Sequence, residues 1–322
     1  SGPGDRRVIA FEASSRERIR RYVTHDIGEK QLAGYLSHTV RLMSHSAYRD
    51  ERLFDALFRF LMTDYLYALS TEVTAWHWEG AFDNHIERIE AKLRTPLEAR
   101  LTTHSHYSAI LDAEMWLFLI AANLNATLTK LDIPLDQWQA ERKVVEQYLS
   151  LAYQVFESRL APTGFHFDQG RWRHHASNEW SQFTGTSLRG ANPPGPADWS
   201  TSWDTAHFRR MPWLLQALEK GDPKNQDYYR GLRRRLAVQF ANDVLTTDQK
   251  WPLLTNYVNG ANGWYNVSEG SGFGPFGLSY SLVKGAWSTL IPFEPKIGDA
   301  HHQLLQLFAS SESEDAAFRT RW

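Results

Sequence analysis

Cysteine is absent from all 322 residues, which removes disulfides, thiolate metal sites and a cysteine nucleophile together. A surplus of charge is also lacking: 35 Lys and Arg stand against 37 Asp and Glu, a formal net charge of -2. No global field therefore draws the protein to nucleic acid or to anionic membranes, and its partner is expected to be near neutral or charged only locally. Long apolar runs are missing as well. The window 109–122 is interrupted by Asp112 and Glu114 and is too short to span a bilayer, so a soluble protein without membrane insertion is expected. Residues Ser1 to Gly4 carry no basic start followed by an apolar stretch and resemble the scar of a cleaved tag. A secreted or periplasmic protein whose signal peptide has been removed is the expectation, with a cytoplasmic one as the alternative.

Alternating strand patterns are absent, and apolar residues recur instead at helical spacing. Phe54, Leu57, Phe58, Phe60, Leu61, Tyr65 and Leu66 form one such stripe, and Leu128, Leu131, Trp138, Val144, Val145, Tyr148, Leu149, Ala152, Tyr153 and Phe156 another, broken at Pro134. The spacing predicts about ten helices, at 14–24, 28–46, 51–76, 82–95, 105–130, 136–160, 204–220, 225–245, 276–290 and 297–310. No internal repeat with a period of about 30–45 residues occurs, which argues against an α-solenoid. Aspartate-rich Mg²⁺ motifs on facing helices, as a terpenoid-synthase-like bundle would need, are missing too. The expected fold is all-α, a single domain over 1–322 in which helical hairpins form an α/α toroid with long aromatic loops at one mouth.

Two connections break the helical pattern, 162–203 and 251–275, and both are rich in Trp, His, Asn and Gly. Long stretches without helix or strand inside compact domains are usually functional. The second contains Asn256, Tyr257, Asn259, Asn262, Trp264, Tyr265, Asn266 and Phe273 among closely spaced glycines, with Phe276 just beyond it. Asparagine supplies paired donors and acceptors, glycine permits close backbone approach, and aromatic rings supply flat apolar faces, which together suit a polyhydroxylated ring. With 13 Trp in the chain, some rings are expected on a binding surface. The two loops are expected to meet over one cleft that takes an oligo- or polysaccharide. Expected substrate contacts are Trp78, Asn178, Trp180, Trp203, Arg210, Asn256, Tyr257, Asn262, Trp264 and Phe273.

The stretch Ser268-Glu269-Gly270-Ser271-Gly272-Phe273-Gly274 resembles the SEGxGYG signature of glycoside hydrolase family 8, an inverting α/α-toroid family acting on β-linked glycans. The resemblance implies that Glu269 is the general acid that protonates the glycosidic oxygen. Glycoside hydrolysis also needs an ionised carboxylate opposite the acid, and Asp204, after a loop and at a helix start, is the candidate for it. The structural alternatives are an N-cap for Asp204 and an arginine-paired loop carboxylate for Glu269. A second reading is β-elimination on a uronic-acid glycan, in which Asn178, His207, Arg210, Tyr257 and Tyr265 offer the acid, the base and the charge neutralisation such a lyase requires. His207 stands three residues after Asp204, so the carboxylate is placed to orient the imidazole or simply to brace the helix start. A third reading is a glycan-binding protein without catalysis.

No cofactor is expected. His104-Ser105-His106, His166 and His174-His175 are close in sequence without a diagnostic third ligand, so no metal is assigned. The run Arg233-Arg234-Arg235 is read as a solvated helix edge, because acidic residues balance it elsewhere. Trp116, on an apolar helix face, is read as packing.

Overall fold

Helix Asp112–Lys130 carries the most apolar stretch of the chain, and it is buried on every side: Met115 through Ala122 and Leu124 are each at most 2% exposed. A helix that is apolar all round has no face to give to water. Trp116 lies in this core, as its sequence position indicates. Gly34 of helix Ile27–Met43 lets the two helices approach, since a Cβ there would fall 2.3 Å from Trp116 Cε3.

The structure, a computed structural model, describes residues 27–71, 82–97, 108–192, 200–247, 249–267, 272–310 and 319. Among these, helices dominate, as the apolar spacing predicts, and no helix is long and apolar enough to cross a membrane. Strand content is one short antiparallel pair, Leu245–Thr246 with Leu253–Leu254, plus isolated bridges such as Asp204 with Tyr257 and Tyr265 with Phe273. The chain divides into two compact units, one made of 1–96, 110–155 and 217–227 and the other of 97–109, 156–216 and 228–322.

The first unit holds helices Ile27–Met43, Glu51–Arg59, His85–Arg94 and Asp112–Lys130. Helix Glu51–Arg59 begins at Asp50, whose side chain accepts Leu53 N–H, and runs on through the π-helical stretch Phe60–Tyr67 into Ala68–Thr71. Of its stripe, Phe54, Leu57, Phe58, Leu61, Tyr65 and Leu66 are buried and Phe60 is half-buried. Several polar groups inside this unit are paired with one another. Arg41 Nε donates to Asn123 Oδ1 at 2.9 Å, and Asn123 Nδ2 donates to Ser37 Oγ at 3.1 Å.

Glu114 is the most demanding of them, being 0% exposed. One oxygen accepts from Arg88 and, at 3.0 Å, from Lys92; the other reaches back to accept Leu111 N–H at 2.6 Å, closing the helix start from the inside. Leu111 has no side-chain acceptor to return this, so it is half of a capping box. Burial pushes the Glu114 carboxyl up, but Arg88, Lys92 and the two kinds of hydrogen bond outweigh it and hold the group below its usual range.

The second unit is built around rings. Phe156, Phe165, Phe167, Phe208 and Trp203 touch in sequence, with centroid separations such as 5.2 Å between Phe156 and Phe167 and 6.0 Å between Trp203 and Phe208. Phe240 stacks on Trp287 at 4.2 Å.

Three expectations need correction here. The helix predicted at 276–290 is instead a run of turns, a single helical turn Ser281–Lys284 and a 3₁₀ turn Trp287–Leu290, because Phe276 sits at φ 61 and Gly285 ends the turn. The predicted helix 204–220 is interrupted after Phe208 and resumes at Met211. In the arginine run only Arg234 is exposed: Arg233 is buried and donates to Thr289 O, while Arg235 donates to Ala161 O at 2.7 Å and to Gly164 O, tying down a loop. The predicted helix 14–24 lies outside the described residues.

A carboxylate that balances two buried cations is costly to remove, on the order of 3–5 kcal/mol. Glu114→Gln should lower the stability measured by urea unfolding at neutral pH by about that amount. Because the folded-state carboxyl titrates below its unfolded value of about 4.3, the advantage of wild type should be full above that pH and vanish as the pH falls through the folded value. Equal stability of the two proteins at neutral pH would contradict this account of the cluster.

Candidate functional site

Irregular loops bury backbone groups that must find partners, and here one side chain supplies several of them. Asn256 is 0% exposed; its Nδ2 donates to Gly263 O and Gly274 O, each at 2.9 Å, and its Oδ1 accepts Leu278 N–H at 3.0 Å. Its own carbonyl accepts Thr205 N–H at 2.9 Å, which joins the loop to helix Thr205–Phe208. Asn262 works beside it. Its Oδ1 accepts from Asn256 N and from Phe276 N, the latter at 2.8 Å, and so holds Phe276 in a left-handed conformation that a bulky residue rarely adopts. The two long loops are knit together, with Trp264 N–H on Phe183 O, Asn266 N–H on Ser177 O, and Trp264 Nε1 on Gly185 O at 2.6 Å. Gly263 is required by this approach, because a Cβ there would lie 1.9 Å from Ser181 O.

At the edge of this scaffold stands an acid–imidazole pair. Asp204 caps helix Thr205–Phe208, its Oδ1 accepting His207 N–H at 2.9 Å, while its Oδ2 lies 2.8 Å from His207 Nδ1. The capping and the imidazole-orienting readings of Asp204 therefore hold at once. Asp204 is only 8% exposed, whereas the His207 side chain is 49% exposed. Burial pushes the Asp204 carboxyl up, but the His207 imidazole, the hydrogen bonds from His207 and the nearby Arg210 outweigh it and hold the acid below its ordinary value. A charged Asp204 beside Nδ1 requires a proton on that nitrogen, so the lone pair of the neutral ring is on Nε2.

Tyrosines surround the pair. Tyr265 Oη lies 3.4 Å from His207 Nδ1 and its ring packs edge-on at 6.3 Å. Tyr257 is buried, and its phenol proton is shared between Trp264 O at 3.2 Å and Asn178 Oδ1 at 3.4 Å. Burial, reinforced by the Asp204 charge, raises the Tyr257 phenol far above its usual range, which keeps it neutral. Arg210 donates from Nη1 to His207 O at 3.2 Å.

Of the residues expected to form the site, Asp204, His207, Tyr265, Tyr257 and Arg210 are brought together. Asn178, Trp203, Tyr257 and Asn256 are each at most 3% exposed, so they hold the walls instead of offering a surface to a ligand. Trp203 packs edge-on against Trp172 at 4.7 Å. Asn262, Trp180 and Trp264 are half-buried, with Trp180 against Phe183 at 5.5 Å. Phe273, 36% exposed, is the exposed ring of the loop, and no described Trp is exposed. Glu269 and Trp78 lie outside the described residues, as do His104 and His106.

Three residues that sequence reasoning passed over also stand here: Arg209, Tyr280 and Lys284. The guanidinium of Arg209 is 5.9 Å and the ammonium of Lys284 5.2 Å from the centre of the Tyr280 ring. The available signal was the four-residue spacing of Tyr280 and Lys284, which faces both along one helical turn. Among the described residues, no group of three or more His, Asp or Glu side chains is placed to hold a metal ion. Comparison with protein-family models, curated proteins and solved structures found no match to this chain.

Removing the Asn256 amide leaves several buried carbonyls and one N–H without their partner, each worth about 1–3 kcal/mol. Asn256→Ala should therefore lose at least about 2 kcal/mol in urea unfolding, with enhanced amide exchange at Leu278. A loss indistinguishable from zero would mean that the loop is held by other contacts.

Proposed function

We propose that the protein is a polysaccharide lyase that cleaves a uronic-acid glycan by β-elimination, with His207 as the base. The observation that carries this reading is the half-exposed imidazole whose Nδ1 is bound to a buried carboxylate at 2.8 Å. Such a pair fixes the tautomer and steadies the cation formed when the ring takes up a proton. In the proposed step, Nε2 removes the proton at C5 of the uronate, the electron pair forms the C4–C5 double bond, and the C4–O bond breaks. Tyr265 gives its phenolic proton to the departing oxygen, and Arg210 balances the sugar carboxylate as negative charge moves onto it.

Hydrolysis, the reading that the Glu269 signature favours, needs a second carboxylate open to water. Asp204 is buried and both its oxygens are engaged by His207, which favours elimination over hydrolysis. The reading includes an α/α toroid of helical hairpins and export from the cytoplasm, since a long polysaccharide is met outside the cell.

The test is incubation with a panel of polyuronates and neutral glycans, following reducing ends and the ultraviolet absorbance of unsaturated uronides. Both signals should appear with polyuronates, and His207→Ala should lower kcat by about 10²–10⁴-fold. Reducing ends without absorbance would show hydrolysis and return the general acid to Glu269. Binding without either signal would make the protein a glycan-binding one.

A further inference from the structure

We infer that Arg209, Lys284 and Tyr280 form a second anionic subsite beside the acid–imidazole pair, which binds the carboxylate of a neighbouring sugar and so makes the substrate a chain charged on more than one residue. This deepens the lyase reading and rests on it for the identity of the ligand, though not for its charge.

The local fold brings these groups together by identifiable contacts. Tyr280 precedes the single helical turn Ser281–Lys284, and Lys284 N–H donates to Tyr280 O at 3.2 Å, which carries the lysine back over the ring. Ala286 N–H donates to Arg209 O at 3.1 Å, so the residue after the acid–imidazole helix is fastened to the same turn. Gly285 keeps the approach close, since a Cβ there would be 2.7 Å from Arg209 Cβ. Phe273, the exposed ring of the glycine-rich loop, lies 6.4 Å from Tyr280.

The charges are unbalanced. Arg209, Arg210 and Asp204 all act on the Tyr280 phenol, and Lys284 stands over its ring. Among the described residues, the acid that acts on this group is Asp204, which is committed to His207. Among the described residues, no carboxylate lies within ion-pair distance of Arg209 or Lys284. Like charges held near one another repel, and an anion between them relieves that repulsion while accepting charge-assisted hydrogen bonds. The concentration is local, because the whole chain carries a net charge of -2. A ligand that is anionic and presents a sugar face to Phe273 and Tyr280 satisfies both features.

The test separates charge from catalysis. Full-length His207→Ala protein is titrated calorimetrically with a tetrameric oligouronide and with the same oligosaccharide after reduction of its carboxyl groups, at low and high salt. The oligouronide should bind in a salt-sensitive way and the reduced form at least about tenfold more weakly. Adding Arg209→Gln and Lys284→Gln should weaken oligouronide binding by roughly ten- to hundredfold and remove most of the difference between the two ligands, while Arg234→Gln, an exposed charge elsewhere in the same unit, should not. Thermal unfolding of each variant checks that the fold is kept; should the double variant be unfolded, Lys284→Gln alone is expected to give the same trend.

Unchanged oligouronide affinity in a folded variant lacking these charges would overturn the subsite and leave the elimination reading untouched, whereas no preference for the charged ligand would overturn the subsite and count against elimination on a uronate too. Conversely, charge-dependent binding lost with Arg209 and Lys284, in a wild-type protein that forms no unsaturated product, would uphold the subsite and overturn the elimination.

Discussion

The candidate site hangs on one buried amide. Asn256 sits at the crossing of Gly263, Gly274, Leu278 and Thr205, and each of these contacts is a backbone group that the glycine-rich loop would otherwise leave unmet inside the protein. A carboxamide is the smallest side chain with two donors and an acceptor on one plane. Its position fixes Tyr257, which bridges to Asp204, and through Asp204 the orientation of His207. The chemistry at the surface is therefore set by a residue that never meets solvent.

Asp204 shows how one side chain can cap a helix and orient an imidazole at once. A four-residue helix has little stability of its own, and its N-cap is a large part of what keeps it formed. Here the cap oxygen that is left over is the one that holds the imidazole. Its depressed pKa keeps the carboxylate charged, and the charge keeps the proton on Nδ1. Loss of the cap and loss of the tautomer are thus coupled, and a change at Asp204 acts on both.

Much of the helical framework was legible because burial imposes a period. The predicted spans 28–46 and 136–160 correspond to Ile27–Met43 and Gln139–Arg159; the second buries an apolar stripe that includes Val144, Val145, Tyr148 and Phe156, whereas the first buries a face of small and polar residues, Lys30, Ala33, Gly34 and Ser37. The pattern misled at 276–290: the apolar spacing is helical, but the hydrogen bond from Phe276 N–H to Asn262 fixes a left-handed residue that periodicity cannot reveal. For the site, residue type announced the Asp204 and His207 pair correctly, since their spacing of three is local. It misassigned Asn256 and Trp203, because composition tells what a side chain can bond or stack with and not whether the partner is a ligand or the protein's own backbone and rings. Arg233 and Arg235 repeat that lesson, spending their donors on carbonyls of distant turns instead of on solvent.

The central claim is that the buried Asp204 holds His207 with its proton on Nδ1 and its lone pair on Nε2. Nitrogen NMR of ¹⁵N-histidine-labelled protein, with His207 assigned by comparison with His207→Ala and recorded at a pH where the ring is neutral, tests it directly. The account predicts a protonated Nδ1 and a bare Nε2 in the wild type, and loss of that preference in Asp204→Asn. A bare Nδ1 in the wild type, or a tautomer ratio unaffected by the Asp204 change, would contradict it.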